Sequence, residues 1–151
     1  MTTAYSISRG LPDPQYEADL YRDVPTKRLF AWMIDVVVIA IMVFVLTLFS
    51  LFTALFFLPI LWTIVSFLYR WSTLAGGSAT LGMRFMAIEI RQSDGSPLDA
   101  QSALLHTAGY FVSVVTFPLQ LISIAMMLGT ARKQGLTDAV LGTAAINRSR
   151  R

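Results

Sequence analysis

Most of the charge in this chain lies outside its apolar runs, with one carboxylate as the exception. In LFAWMIDVVVIA, residues 29–40, Asp35 sits inside a stretch otherwise fit for lipid. An aspartate near the middle of a bilayer costs about 2.5 to 3.5 kcal/mol on insertion scales, so such residues turn inward and find a partner. Three kinds of chemistry fit it: structural pairing with a cation or polar backbone, an ion or proton site, or a neutral acid held by hydrogen bonds. Arg28 stands seven residues earlier. Two helical turns put both side chains on one face, about 10.5 Å apart along the axis. Ala31 lies between them on that face and lets a partner element come close.

Asp138, in QGLTDAVLGT, is the third candidate. It follows Gly135 at the spacing of a helix N-terminal cap, and a cap at the membrane surface is its simplest role. If the C-terminal segment shares a side of the membrane with Arg28, the two can pair. His106 opens a second apolar block, where a hydrogen-bonding or surface-anchoring role suits it better than a proton relay. Arg84, in the loop after the second span, is a further cation. AGGSATLG lacks the GK[ST] ending and the preceding strand of a phosphate-binding loop, so it reads as a flexible connection. Trp32, Trp62 and Trp71 read as lipid-facing or packing residues. No Ser/His/Asp or paired-carboxylate arrangement is present, so no enzymatic activity is expected. With no cysteine and one histidine, neither a metal nor a cofactor is expected.

The elements that must position these residues belong to a membrane protein. Of the 151 residues, 55% are hydrophobic and 14% charged, against about 25% charged in a soluble domain. Mean hydropathy is +0.61. From Leu29 to Tyr69 there is a single charged side chain, Asp35. A helix of that length would reach roughly 60 Å, twice the hydrocarbon thickness, so the run is read as two spans, about 28–49 and 53–70, in a tight hairpin. Pro59 should kink the second span. Residues 1–24 read as a flexible polar tail, 25–147 as the membrane domain and 148–151 as a basic tail. The first 28 residues have no apolar core of the kind a secretory signal needs, so none is expected. Met86, Ile88 and Ile90 alternate with Ala87, Glu89 and Arg91, which is a strand pattern, and Thr143 to Ile146 suits a second short strand. Asp99 should cap a helix beginning at Ala100.

The third hydrophobic block, Leu104 to Leu128, is broken by Pro118. Its length suits one crossing of about 37 Å. Lysine and arginine argue for re-entry instead. Lys27, Arg28, Arg70, Arg84 and Arg91 put the N-terminus and the 70–103 loop in the cytoplasm. A single crossing would then export Arg132, Lys133, Arg148, Arg150 and Arg151, whereas a fold-back at Pro118 keeps all twelve basic residues inside and lets the two strands pair. Both readings stay open, within an all-α membrane protein carrying a short cytoplasmic β-like element. The net charge of +3 fits basic residues facing an anionic leaflet, and no nucleic acid partner is expected.

KRLFAWMID, TLGMRFMAIEIRQSDGSPL and RKQGLTDAVLGTAAI, taken in order, resemble the RDD family of bacterial membrane proteins, named for an arginine and two aspartates. Arg28, Asp35 and Asp138 are the matching residues here. The chain departs from the family pattern at Gly82-Met83-Arg84, which has one cation fewer. It also has His106 where an arginine is common and Thr137 where a histidine is usual. The resemblance implies a multi-pass protein of the bacterial inner membrane, with no cofactor. It also implies a transport role, cation/proton exchange included. Two functions follow as expectations. One is a small oligomeric transporter that couples cation or proton movement to Asp35. The other is a non-transporting scaffold or assembly factor in which the Arg and Asp residues are structural. The expected partners are the lipid bilayer and either a second copy or another membrane protein.

Overall fold

The computed structural model describes residues 10–148 and is mostly helical. Helix α1 runs Val24–Phe49, with Pro25 in its first turn, where a missing N–H costs nothing. Its buried residues include Ala31, Asp35, Ile39, Val43 and Thr47, a ridge with one member every fourth residue. The opposite face exposes Val37, Ile41 and Phe44. At 26 residues the helix is about 39 Å long. The chain reverses at Ser50–Phe52 without a glycine, Leu51 and Phe52 both taking positive φ. A 3-10 turn, Thr53–Phe57, leads into α2, Leu58–Gly77. Pro59 therefore sits in the first turn of α2 and leaves it unkinked, and the helix continues past Arg70 to Gly77. Both helices are long and apolar enough to cross a membrane. Their burial pattern is inverted relative to a soluble protein: Asp35, Thr47, Ser66 and Arg70 are inside, while large apolar residues such as Val37, Phe44 and Leu68 are outside.

The segment read as a flexible connection is among the tightest parts of the fold. Ser78 closes α2 in the left-handed conformation, and Thr80 caps a short helix, α3, Leu81–Phe85, by accepting the Met83 N–H. Strand β1, Ile88–Arg91, follows and pairs antiparallel with β2, Ala144–Asn147, bringing Ile88 opposite Asn147 and Arg91 opposite Ala144. Ile88 and Ile90 are fully buried and pack with Val24, Leu74, Leu98 and Ala145. Residues 10–23, read in the sequence as part of the tail, lie against this ribbon: Tyr21 is buried with Ala144 and Ile146, and its hydroxyl donates to the Pro12 carbonyl at 2.8 Å. Residues 1–9 and 149–151, the remainder of the two expected tails, lie outside the described residues.

Helix α4, Ala100–Val115, is capped by Asp99, which accepts the Ser102 N–H at 2.7 Å. It stops at Thr116, and α5, Phe117–Gly129, leaves at 115° with Pro118 in its first turn. The bend returns the chain toward the start of α1. There the short helix α6, Leu136–Leu141, packs beside α4 and leads into β2.

Candidate functional site

Asp35 is 1% exposed, and three donors from two other helices converge on it. The Tyr69 hydroxyl of α2 donates to Oδ1 at 2.6 Å, the Thr80 hydroxyl to Oδ2 at 2.6 Å, and the Gly82 N–H at the start of α3 to Oδ1 at 2.9 Å. Each hydroxyl gives its single proton to the carboxylate and accepts a backbone N–H in return, Leu81 for Tyr69 and Met83 for Thr80. The arrangement depends on backbone proximity. A Cβ on Gly82 would stand 2.1 Å from the Ala31 carbonyl oxygen and 2.9 Å from Asp35 Oδ1, so only glycine lets α3 reach the face of α1. Asp35 thereby joins α1, α2 and α3 at one point.

Asp138 makes a second junction. It is fully buried and accepts from Arg28 Nη1, from the Thr143 hydroxyl at 3.0 Å and from the Gly135 N–H at 3.1 Å. His106 Nε2 of α4 lies 2.8 Å from Asp138 Oδ1, the oxygen that also accepts from Thr143, while Arg28 and Gly135 meet Oδ2. Burial by itself would raise this carboxyl, but the Arg28 charge and the His106 hydrogen bond outweigh it and hold Asp138 well below the ordinary carboxylate range. The cluster ties α1, α4 and α6 together. Lys27 adds a parallel tie, its Nζ donating to Asn147 Oδ1 of β2 at 2.7 Å.

The sequence candidates therefore fall into two networks. Arg28, Asp138 and His106 meet, whereas Asp35 binds elsewhere, and no hydrogen bond or ion pair joins it to Arg28 among the described residues. Arg84 belongs to neither: its Nε donates to the Ala79 carbonyl at 3.2 Å, back along its own chain. What the two networks share is a cleft of about 500 Å³ between α1 and the α4–α5 pair, lined by Arg28, Asp35, His106 and Asp138 together with further polar and apolar side chains.

Sequence reasoning passed over the partners of Asp35, because Thr80 and Gly82 stand in a stretch that reads as a linker. It also set Arg70 at the end of the second span, where the cytoplasmic loop begins. Arg70 instead lies within α2, 8% exposed, with its Cζ 3.9 Å from the centre of the Tyr110 ring of α4, and it lines the same cleft. Trp32 of α1 reaches across to donate its indole N–H to the Tyr110 hydroxyl at 2.9 Å. A signal was available: Arg70 falls one residue after Tyr69 in a helical run that continues to Gly77 without a helix stop.

Comparison with known proteins adds the family. No curated protein and no solved structure matches the chain. The family model described as RDD family matches residues 23–142, which takes in the cleft and every member of the two junctions except Thr143. The chain belongs to the RDD family.

Proposed function

We propose that this protein is a multi-pass membrane scaffold or assembly factor that presents a shaped intramembrane cleft, with Arg28, Asp35 and Asp138 as its structural clamps. The observation that carries this reading is the saturation of Asp35. Tyr69, Thr80 and Gly82 all donate to it while the side chain is 1% exposed. A cation or proton passing through Asp35 would have to displace donors that each contribute about 1.5–3 kcal/mol to a charged acceptor, and would loosen three helices in doing so. Asp138 is filled in the same way by Arg28 and His106.

In this reading the N-terminus, the β1–β2 ribbon and the C-terminal segment lie in the cytoplasm, and α4 and α5 form a re-entrant pair in a bacterial inner membrane. Two observations support that orientation. The bend at Thr116 brings Asp138 back to Arg28, and the basic residues then share one side. The exposed apolar faces of α1 and α2 leave room for a second copy or another membrane protein.

The purified chain reconstituted alone in vesicles with an internal pH-sensitive dye tests the proposal. The dye response to an imposed sodium, potassium or pH gradient should match that of empty vesicles. Saturable flux dependent on the protein would overturn the scaffold reading in favour of a transporter.

A further inference from the structure

We propose that the cleft between α1 and α4–α5 binds the anionic headgroup of a membrane lipid, with Arg70 as its cationic anchor. The proposal rests on the scaffold reading in one respect, that the two clamps hold the walls of the cleft apart.

Arg70 is more than nine-tenths buried, and no hydrogen bond or ion pair reaches its guanidinium among the described residues. The ring of Tyr110 covers one face of the guanidinium. Stacking uses the π face and leaves the in-plane N–H groups free to meet an acceptor. Tyr110 and Ser113 beside it can donate as well. The Tyr110 hydroxyl accepts from Trp32 and keeps its own proton to give. Ser113, one turn further along α4, is 4% exposed, and its hydroxyl has no protein partner among the described residues. Both line the cleft with Arg70. The two acids on the lining are already engaged, Asp35 by three donors and Asp138 by four. With both acids engaged, the N–H groups of Arg70 are left without an acceptor, and an anionic one suits a guanidinium.

The mouth indicates where that acceptor comes from. Leu29 and Trp32 on α1 and Ile124 and Leu128 on α5 line the cleft and are exposed apolar residues. A small aqueous anion would leave these surfaces uncovered. A lipid places its charged head on Arg70, Tyr110 and Ser113 and its chain against this rim, entering sideways from the bilayer. A volume of about 500 Å³ admits a head and the first part of a chain.

The test uses the full chain with Trp62→Phe and Trp71→Phe, which leaves Trp32 as the sole tryptophan, reconstituted in phosphatidylcholine vesicles. Chain-brominated phosphatidylglycerol or brominated phosphatidylcholine is titrated in, and quenching of Trp32 is read. The expected result is a saturable quenching component at about tenfold lower mole fraction of phosphatidylglycerol. Arg70→Gln should remove the preference, and Arg70→Lys should keep part of it. Equal quenching by the two lipids overturns the proposal, as does a preference unchanged by Arg70→Gln. Millimolar inorganic phosphate abolishing the preference would make this a site for a free anion and overturn the lipid assignment. If circular dichroism shows Arg70→Gln unfolded, Ser113→Leu fills the head position and must abolish the preference on its own. Flux with the lipid preference intact would overturn the scaffold reading alone, and loss of the preference without flux would overturn this one alone.

Discussion

Replacing Gly82 by alanine adds one carbon where α3 meets α1. The new Cβ would lie 2.1 Å from the Ala31 carbonyl oxygen and 2.8 Å from its carbonyl carbon. Both are backbone atoms of a helix, so no side-chain rotation relieves the clash. Ordinary contact begins near 3.4 Å, which requires α1 and α3 to part by about 1 Å. The Gly82 N–H to Asp35 bond, 2.9 Å in the native fold, is lost at that separation. Overpacking of this kind costs about 1–3 kcal/mol. Loss of one donor to a buried charged acceptor adds about 1.5–3 kcal/mol. The terms share a cause and are not fully additive, so the net expectation is about 3–5 kcal/mol. For a chain of this size that lowers the thermal midpoint by about 6–20 °C. Fluorescence-detected size-exclusion chromatography after heating, in detergent and in nanodiscs, reads the midpoint. A variant within about 2 °C of wild type would refute the close approach, and with it the account of why glycine stands there.

Removing the Asp138 charge with Asp138→Asn leaves the partly buried Arg28 without its counter-ion and should cost about 3 kcal/mol, read as lost folded yield and a lower midpoint. The pH dependence has a definite sign. The folded Asp138 carboxyl is held below its unfolded value of 3.8. Its contribution is therefore complete above that value and is lost as pH falls through the folded one. The midpoint should show no loss from this group between neutrality and about pH 5, then drop below about pH 4, and a fall already at pH 6 would contradict this assignment. Pro59→Ala should change the midpoint by no more than about 0.5 kcal/mol equivalent, because the residue lies in the first turn of α2 and makes no kink. A large shift in either direction would place Pro59 within the helix body.

The parts of the fold legible in the sequence are those set by local patterning along the chain. The face shared by Ala31 and Asp35, the break before Pro118, the Asp99 cap and the pairing of two short strands all follow from the spacing of apolar, polar and cap residues. The pairing of Arg28 with Asp138 was conditional on the chain returning at the break, and the 115° bend returns it. What the sequence hid depends on backbone proximity across elements. AGGSATLG has the composition of a linker, yet Ser78 takes a left-handed cap, Thr80 caps α3 and donates to Asp35, and Gly82 is small so that α3 can touch α1. Small residues serve flexibility and close packing equally well, and only tertiary contacts separate the two uses. Pro59 was misread for a related reason: proline within an apolar run fits a kink or a helix start, and the 3-10 turn before it decided the matter. Arg28 and Asp35 share a face, as their spacing requires, but α3 reaches Asp35 first and takes its hydrogen bonds.

The central claim is that Asp35 holds helices together. A double-mutant cycle between Asp35→Asn and Tyr69→Phe tests it most directly, with unfolding free energy measured for wild type, both single variants and the double. Because the Tyr69 hydroxyl donates to Asp35 Oδ1 at 2.6 Å, each single change should be destabilising and the pair should couple by about 1–3 kcal/mol. Two variants that retain wild-type stability, with a coupling indistinguishable from zero, would contradict the account.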